Sequence, residues 1–547
     1  MKKILTVCLA VLLTAGTFAG CRPTVPNGGQ TIDPNKTQIY FSVWNGGYGS
    51  QWAIDAAQAY NATDAEYEVI VKPNKDEWYS IEASLEAGTS SVDIYLNNPD
   101  YIKADAMGWF EDLSDVYEST PAGEERTVGE KIKERDKDYF NQIFSVDGKK
   151  YGIPFSDGFS GFVYDHEIFL QKGYLIGEDG NCITSPDQPL SVGRDGVAGT
   201  FDDGHPKNMA EYDKMVTKIS REMKVYLWAS KFPYYVLPIF DSIVAEYNGE
   251  DAYFINYTLS GTYTEPGTTT PVPVTPDKGY EVYKMSGRKI ALDFYDNYLT
   301  NPDYYHPEAM AGVASHTDAQ KSFVYGNAFS GLAGTQAAFL YEGMWWENEA
   351  RANFNSLSGS GNADYAYGTR DYRMMMLPLF DDKQQDTGYY AATFDMMSLC
   401  VTKQTDAKKL ESIKKFLTFL HSDENLVAYT ATTGGVRPFE YEIGEEELSG
   451  LTKFAQNNWE MYNSENFHVV RYNVNYLMSD TAYNAARVGD LKVAMSTTYF
   501  NNKEYAYPTD VMAKGDGLTT IGNAQQYFDN AYQYYKNNWD KVEIVIG

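Results

Sequence analysis

TQIYFSVWNGGYGSQWAIDAAQAYNATDAEYEVIVKPNKDEWYSIEASLEAGTSSVDIYLNNPD, Thr37 to Asp100, is the stretch whose pattern decides the fold. Thr37 to Val43 alternates and is β-branched or aromatic, as a strand requires. It runs into Trp44-Asn45-Gly46-Gly47-Tyr48-Gly49, where glycines let the backbone approach another group closely. Ser50 stands in the capping position of a helix from Gln51 to Asn61, whose Trp52, Ala56 and Tyr60 share one face. Tyr67 to Val71 reads as a second strand and Trp78 to Ala87 as a second helix. Val92 to Leu96 is a third strand, ending in Asn97-Asn98-Pro99-Asp100, and Tyr101 to Phe110 a third helix. This βαβαβα rhythm predicts an α/β protein with a mainly parallel sheet covered by helices. Ligands of such sheets sit beyond the carboxyl ends of the strands, where both loops lie.

A second stretch, Gln336 to Arg351 (QAAFLYEGMWWENEAR), repeats the theme. Ala337 to Tyr341 is an apolar run suited to a buried strand. Glu342-Gly343 breaks it, and Trp345-Trp346 open a helix-forming segment to Arg351. Two indoles at a helix start would offer flat faces to a cleft, and such a face can carry the C–H side of a sugar ring. The acids Glu342, Glu347 and Glu349 are most simply explained by the positive end of that helix.

At 547 residues the chain is too long for one core, so two large lobes are expected. Aromatic residues make up 15%, with 46 Tyr, which suits wet, half-buried surfaces. The formal charge of −30 repels nucleic acid and anionic lipid. Lys2-Lys3, the apolar run Ile4 to Ala15 and the small residues after it make residues 1–20 a signal peptide. Phe18-Ala19-Gly20-Cys21 resembles a bacterial lipobox, whose Cys21 is diacylated and becomes the first mature residue. Residues 21–36 then form a Pro/Gly/Asn tether, and the lipid would hold the protein at a membrane. Of the remaining cysteines, Cys182 and Cys400 read as unrelated free thiols.

Further on, Lys150 to Asp165 (KYGIPFSDGFSGFVYD) reads as a crossing between lobes. Ile219 to Asp251 reads as mostly helical, interrupted at Pro233 and Pro238. Asn256 to Lys278, rich in Thr, Pro and Gly, is an exposed insertion or small hairpin. Met374 to Pro378 and Tyr389 to Val401 are strand regions. Lys408 to His421 is an amphipathic helix with Ile413, Phe416, Leu417 and Leu420 inward. Thr432 to Pro438 is a loop that crosses back.

Five landmarks, in this order, resemble the extracellular solute-binding proteins of carbohydrate ABC importers, the family 1 group that includes maltose-binding proteins. They are the lipobox, WNGGYG, KYGIPFSDGFSGFVYD, QKSFVYGNAFSGLAGTQAAFLYEGMWWENEAR (Gln320 to Arg351) and HSDENLVAYTATTGGVRP (His421 to Pro438). The resemblance implies a two-lobe periplasmic-binding-protein-like fold with a hinge and a central cleft. Lobe 1 would take 37–154 and 375–433, and lobe 2 155–374 and 434–547. It further implies a monomeric, non-enzymatic receptor with no required cofactor. That receptor would bind a carbohydrate, dock on ABC importer permease subunits and hold to the membrane by its lipid.

On this basis Trp345 matches the family's stacking Trp, with Trp346 beside it. Trp44, Asn45 and Tyr48 resemble the first ligand loop. Asn97, Asn98 and Asp100 follow the third strand, and Asp157 lies at the crossing, where a carboxylate can accept two hydroxyls. Asp395 and Arg437 complete the candidate set. Separately, Asp195, Asp202 and Asp203 lie in a Gly-rich loop, Gly193 to Gly204, which could wrap a structural Ca2+ or be a turn with solvated acids. Two other function classes stay open: a secreted glycoside hydrolase or lyase, whose clefts also hold acids and aromatics, and a binding protein for a non-sugar solute.

Overall fold

The computed structural model describes residues 30–541, apart from 65, 76–77, 98, 100, 330–335, 385–387, 394–395, 472–496 and 516. The strands that build the lobes are, in chain order, β1 (Thr37–Trp44), β2 (Tyr67–Asn74), β3 (Ile94–Asn97), β4 (Ile153–Asp157), β5 (Ser160–Asp165), β6 (Lys224–Leu227), β7 (Ala337–Gly343), β8 (Tyr372–Met375), β9 (Tyr389–Thr393), β10 (Met396–Val401) and β11 (Phe467–Arg471).

The first sheet has the order β2-β1-β3-β10-β4. β1 pairs in parallel with β2 and β3, while β10 runs antiparallel between β3 and β4. Central β1 buries Ile39, Phe41 and Val43 completely. The helix Gln51–Asn61 covers it with Trp52, Ala53, Ala56 and Tyr60, and Trp52 reaches Phe155 of β4 at 4.7 Å between ring centroids. Ser50 stands before this helix as expected, but its hydroxyl donates to Asn45 Oδ1 (3.2 Å) rather than capping.

The second sheet has the order β8-β5-β7-β6. β7 is buried along all seven residues, because β5 and β6 flank it and helices cover the sheet. β6 corrects the helical reading of Ile219 to Asp251: Lys224–Leu227 is a buried strand, and the helix proper is Leu237–Asn248. The expected single strand region Tyr389 to Val401 is two strands in different lobes. β9 pairs with β11 and joins the second core, while β10 belongs to the first. The crossings therefore fall between Asp157 and Ser160 and between Thr393 and Met396, not at 154 and 375. Phe439 and Tyr441 also return to the first core.

The insertion is a hairpin, Gly261–Thr264 with Pro271–Val274. Its inner face is not exposed. Tyr263 and Val274 join a third small core with the helix Ala524–Asn538, where Tyr283 stacks on Tyr535 at 4.2 Å. Cys182 and Cys400 are free thiols. No helix among the described residues is long and apolar enough to cross a membrane.

Candidate functional site

Strand register brings distant loops to one edge of the first sheet. Val43 lies opposite Leu96, Asn97 opposite Ser398, and Met396 opposite Asp157. Trp44, Asn97 and Asp157 thus end on the same side, toward lobe 2. Asn98, Asp100 and Asp395 lie outside the described residues, as does Cys21. On lobe 2, Gly343 pairs with Ser160, so Trp345 leaves its sheet at the edge that faces lobe 1.

The two edges touch. The Gly47 N–H donates to Glu349 Oε1 (3.0 Å), and Asn348 Nδ2 donates to the Gly47 carbonyl (2.8 Å). Gly47 has φ of +48°, and a Cβ there would lie 3.0 Å from Trp345 Cβ. Only glycine allows this approach without strain. Gly343 plays the matching part from below: a Cβ there would fall 2.1 Å from Trp345 Cη2, so the indole lies across the bare strand end. Tyr48 meets Trp345 edge-on at 6.4 Å and 81°. Trp345 is consequently only 7% exposed, sealed at the seam between the lobes. Trp44 is half-buried and folds over its own loop, where a Cβ on Gly46 would meet its Nε1 at 2.5 Å. Asn45 is exposed and holds its turn through Ser50.

Several expected contacts are structural instead. Trp346 is fully buried, ringed by Phe323, Phe354, Tyr372 and Phe454 at 5.1–5.9 Å, which leaves no face for a ligand. Arg437 is buried in lobe 1 with its guanidinium 3.6 Å from the Phe155 ring centroid, and it donates to His421 Nε2 (3.0 Å). Burial lowers its pKa to about 10, and burial with the Arg437 charge holds His421 neutral, down at about 3. It is neither a cleft residue nor a surface ion-pair former.

Asp157 is buried as well. Its Oδ2 accepts from Arg471 Nη2 (2.6 Å) and the Tyr462 hydroxyl (3.0 Å), while Oδ1 faces no donor. Burial pushes its pKa up, against the pull of Arg471. Arg471 also reaches Asp136 at 2.8 Å, so a lobe 2 cation ties the crossing to lobe 1. Arg135 of lobe 1 adds bonds to the carbonyls of Tyr462 (2.8 Å) and Phe467 (3.2 Å).

The Asp/Gly loop is wound around Asp202. That carboxylate accepts from the N–H groups of Arg194 (2.7 Å) and Asp195 (3.1 Å), the Tyr389 hydroxyl (2.6 Å) and the Thr200 hydroxyl (3.0 Å). Asp203 and Asp195 take the N–H groups of Gly199 and Val197. These acids are tied to donors of the loop itself, while Asp203 Oδ1 has no hydrogen-bond partner, and no cluster of three or more His, Cys, Asp or Glu suited to a metal occurs among the described residues. The loop is internally bonded around Asp202, which is fully buried.

The acids of the second stretch also differ from the helix-dipole reading, because the helix Trp346–Glu349 is only four residues long. Gln320 Nε2 bridges Glu342 (3.1 Å) and Glu349 (2.7 Å). Glu347 is buried, accepts from the Thr452 hydroxyl and is pushed up to about 7 by burial. Burial, and then the charge of Glu349, push Glu342 up to about 8. Tyr235 and Gln320 bond to Glu342, and His316 Nε2 lies 3.6 Å from Glu349. A carboxyl whose pKa rises on folding is favoured protonated, so it lowers stability as pH climbs from the unfolded value near 4.5 through 8. Glu342→Gln is therefore expected to raise the melting temperature at pH 8 and to leave it near that of the parent at pH 5. An equal difference at both pH values would place the proton elsewhere.

Sequence reasoning missed the roles of Asn348, Glu349 and Arg471, whose partners lie about three hundred residues away, and of Gln320, whose partners lie 22 and 29 residues away. The Gly46-Gly47 pair was the one signal of close approach.

The model of the bacterial extracellular solute-binding protein family matches residues 55–462. No curated protein matches the chain significantly in sequence. Among solved structures, one concerned with xylan utilization by Caldanaerobius polysaccharolyticus aligns with a TM-score of 0.55 at 13% identity, covering 92% of this chain and 100% of that one. A chitin oligosaccharide binding protein gives 0.53 at 13%, covering 90% and 95%. RafE from Streptococcus pneumoniae in its apo form gives 0.52 at 12%, covering 93% and 99%. These likenesses establish the two-lobe α/β fold. With the family match spanning most of the chain, the conclusion is direct: this protein belongs to the bacterial extracellular solute-binding protein family.

Proposed function

We propose that the protein is a lipid-anchored receptor that captures an oligosaccharide between its lobes and delivers it to an ABC importer. The observation that carries this reading is the meeting of the Trp44–Gly49 loop, which ends on the same sheet edge as Asn97, with Trp345 of the other lobe across a seam closed by Gly47. Aromatic faces beside amide groups match a sugar's alternation of C–H faces and hydroxyls. Proteins of the same architecture include the chitin oligosaccharide binding protein and RafE, which has also been solved with raffinose. The anchor would be the diacylated Cys21, with the following residues as tether.

Capture works by closure. A ligand that touches both lobes favours the closed state by the contacts it adds there. The permease would read that state as occupied.

The test is a glycan panel on the body from residue 30, retained because Gln30 bonds both backbone groups of Val71. At least one oligosaccharide is expected to raise the melting temperature and bind by calorimetry without being cut. Appearance of product would make the protein a hydrolase or lyase. Silence across all sugars would leave a non-sugar solute.

A further inference from the structure

Two carboxyls and one amide stand where the lobes meet. Gln320 Nε2 donates to Glu342 Oε1 (3.1 Å) and to Glu349 Oε2 (2.7 Å), so a single nitrogen bridges the two acids. Glu342 and Gln320 are buried, at 1% and 0% exposed, while Glu349 is half-buried. The other Glu349 oxygen accepts the Gly47 N–H of lobe 1 (3.0 Å). One acid of the pair is thus sealed inside lobe 2, and the other holds the opposite lobe.

The surroundings leave the pair short of positive charge. Around Glu342 stand the Gly343 N–H, which donates to Oε2 (3.1 Å), the Tyr235 hydroxyl and the Gln320 amide. The Tyr341 phenol, on the preceding position of β7, is buried beside Asp241 and stays neutral. Among the described residues no cation pairs with Glu342. His316 faces Glu349 instead, with Nε2 3.6 Å from Oε1. Glu347 is directed elsewhere, to the Thr452 hydroxyl and the Arg351 charge.

Two like charges this close in a dry site do not both persist. Glu342 gives way: burial, then the Glu349 charge, favours its protonated form. The Gly47 N–H fixes that choice, because it stabilises a charged Glu349. When the lobes part, this N–H leaves with lobe 1. Water then reaches Trp345 at the strand end beside Gly343 and screens the pair. The advantage of the protonated form shrinks.

We propose that closing the lobes takes up one proton, held by the Glu342–Glu349 pair, so that ligand capture weakens as pH rises. This rests on the receptor reading and adds its regulation. The Glu342 carboxyl holds its proton more tightly in the closed state than in the open one. By linkage, capture is undiminished below the open-state value. It falls as pH climbs from there to about 8, by up to about tenfold per pH unit for one proton.

The experiment compares the parent with Glu342→Gln, which is neutral throughout and keeps an oxygen for the Gly343 N–H. Both are titrated by calorimetry with maltohexaose, xylohexaose and chitohexaose at about pH 6.5 and about pH 8.5, and scattering gives their unliganded radius of gyration at each. The parent is expected to bind its hexaose about tenfold more weakly at the higher pH, and its radius to grow. Glu342→Gln should show one affinity and one radius. A parent unchanged in both readouts overturns the proposal while the receptor reading stands. A dependence that persists in Glu342→Gln also overturns it and moves the titration to His316. If no hexaose binds, the receptor reading falls, and scattering alone decides: growth in the parent only supports proton-linked closure, and any other result overturns it.

Discussion

Gly47→Val is expected to leave both lobes folded and to weaken ligand capture about a hundredfold. The substitution acts on one point of contact. A Cβ at this position would lie 3.0 Å and 3.1 Å from Trp345 Cβ and Cγ, and φ of +48° is strongly unfavourable for a β-branched residue. The loop must move away from lobe 2. It then loses the bond to the Glu349 carboxylate and the bond from Asn348. A hydrogen bond to a charged group contributes about 1.5–3 kcal/mol and a neutral one about 1. Together they amount to roughly 3 kcal/mol of closure, which is about two decades in affinity. Scattering should show a larger radius of gyration, and titration the loss in affinity. Unchanged affinity would mean that closure does not pass through this loop. Gly46 is the control, since its neighbour is its own lobe's Trp44.

The second large effect concerns stability. Arg471→Ala removes the cation shared by Asp157 and Asp136. Asp157 is left with the Tyr462 hydroxyl, and Asp136 with Arg135 at 3.5 Å. Breaking a buried pair from one side costs about 3–5 kcal/mol, mostly through the charge left behind. The double variant Arg471→Met with Asp157→Asn should recover much of that loss, because the stranded charge goes too. Denaturant unfolding followed by a probe in each lobe would check both variants, since two lobes need not unfold as one. If the double variant is as weak as the single one, the cation's role is packing rather than charge.

Local periodicity carried much of the fold. The helix Gln51–Asn61 is bounded as read, and β1, β2 and β7 differ from their expected ends by a few residues at the C-terminal side. Lys224–Leu227 escaped because four residues show no period, and apolar helical sequence lies on both sides. The split of Tyr389 to Val401 escaped because strand character is the same in either lobe; only pairing tells β9 from β10.

The candidate site was legible where position alone decides. Carboxyl ends of parallel strands share an edge, so Trp44 and Asn97 could be placed together from sequence. Which side chain turns inward could not. Trp345 and Trp346 are neighbours with the same chemistry, yet one sits at the seam and the other in the core. Burial of charge was hidden for the same reason. Arg437 among aromatic rings, Asp202 among donors and Asp157 against Arg471 depend on residues that only folding brings near.

The place of β10 has a consequence for how the molecule comes into being. Ser398 bonds to the carbonyl of Asn97, 301 positions earlier, and β10 fills the gap between β3 and β4. The first lobe cannot complete its sheet until nearly three quarters of the chain has been synthesised. Contacts so distant in sequence form slowly. Until β10 arrives, β3 and β4 have no partner between them, so the first lobe's sheet is among the last parts of the fold to close.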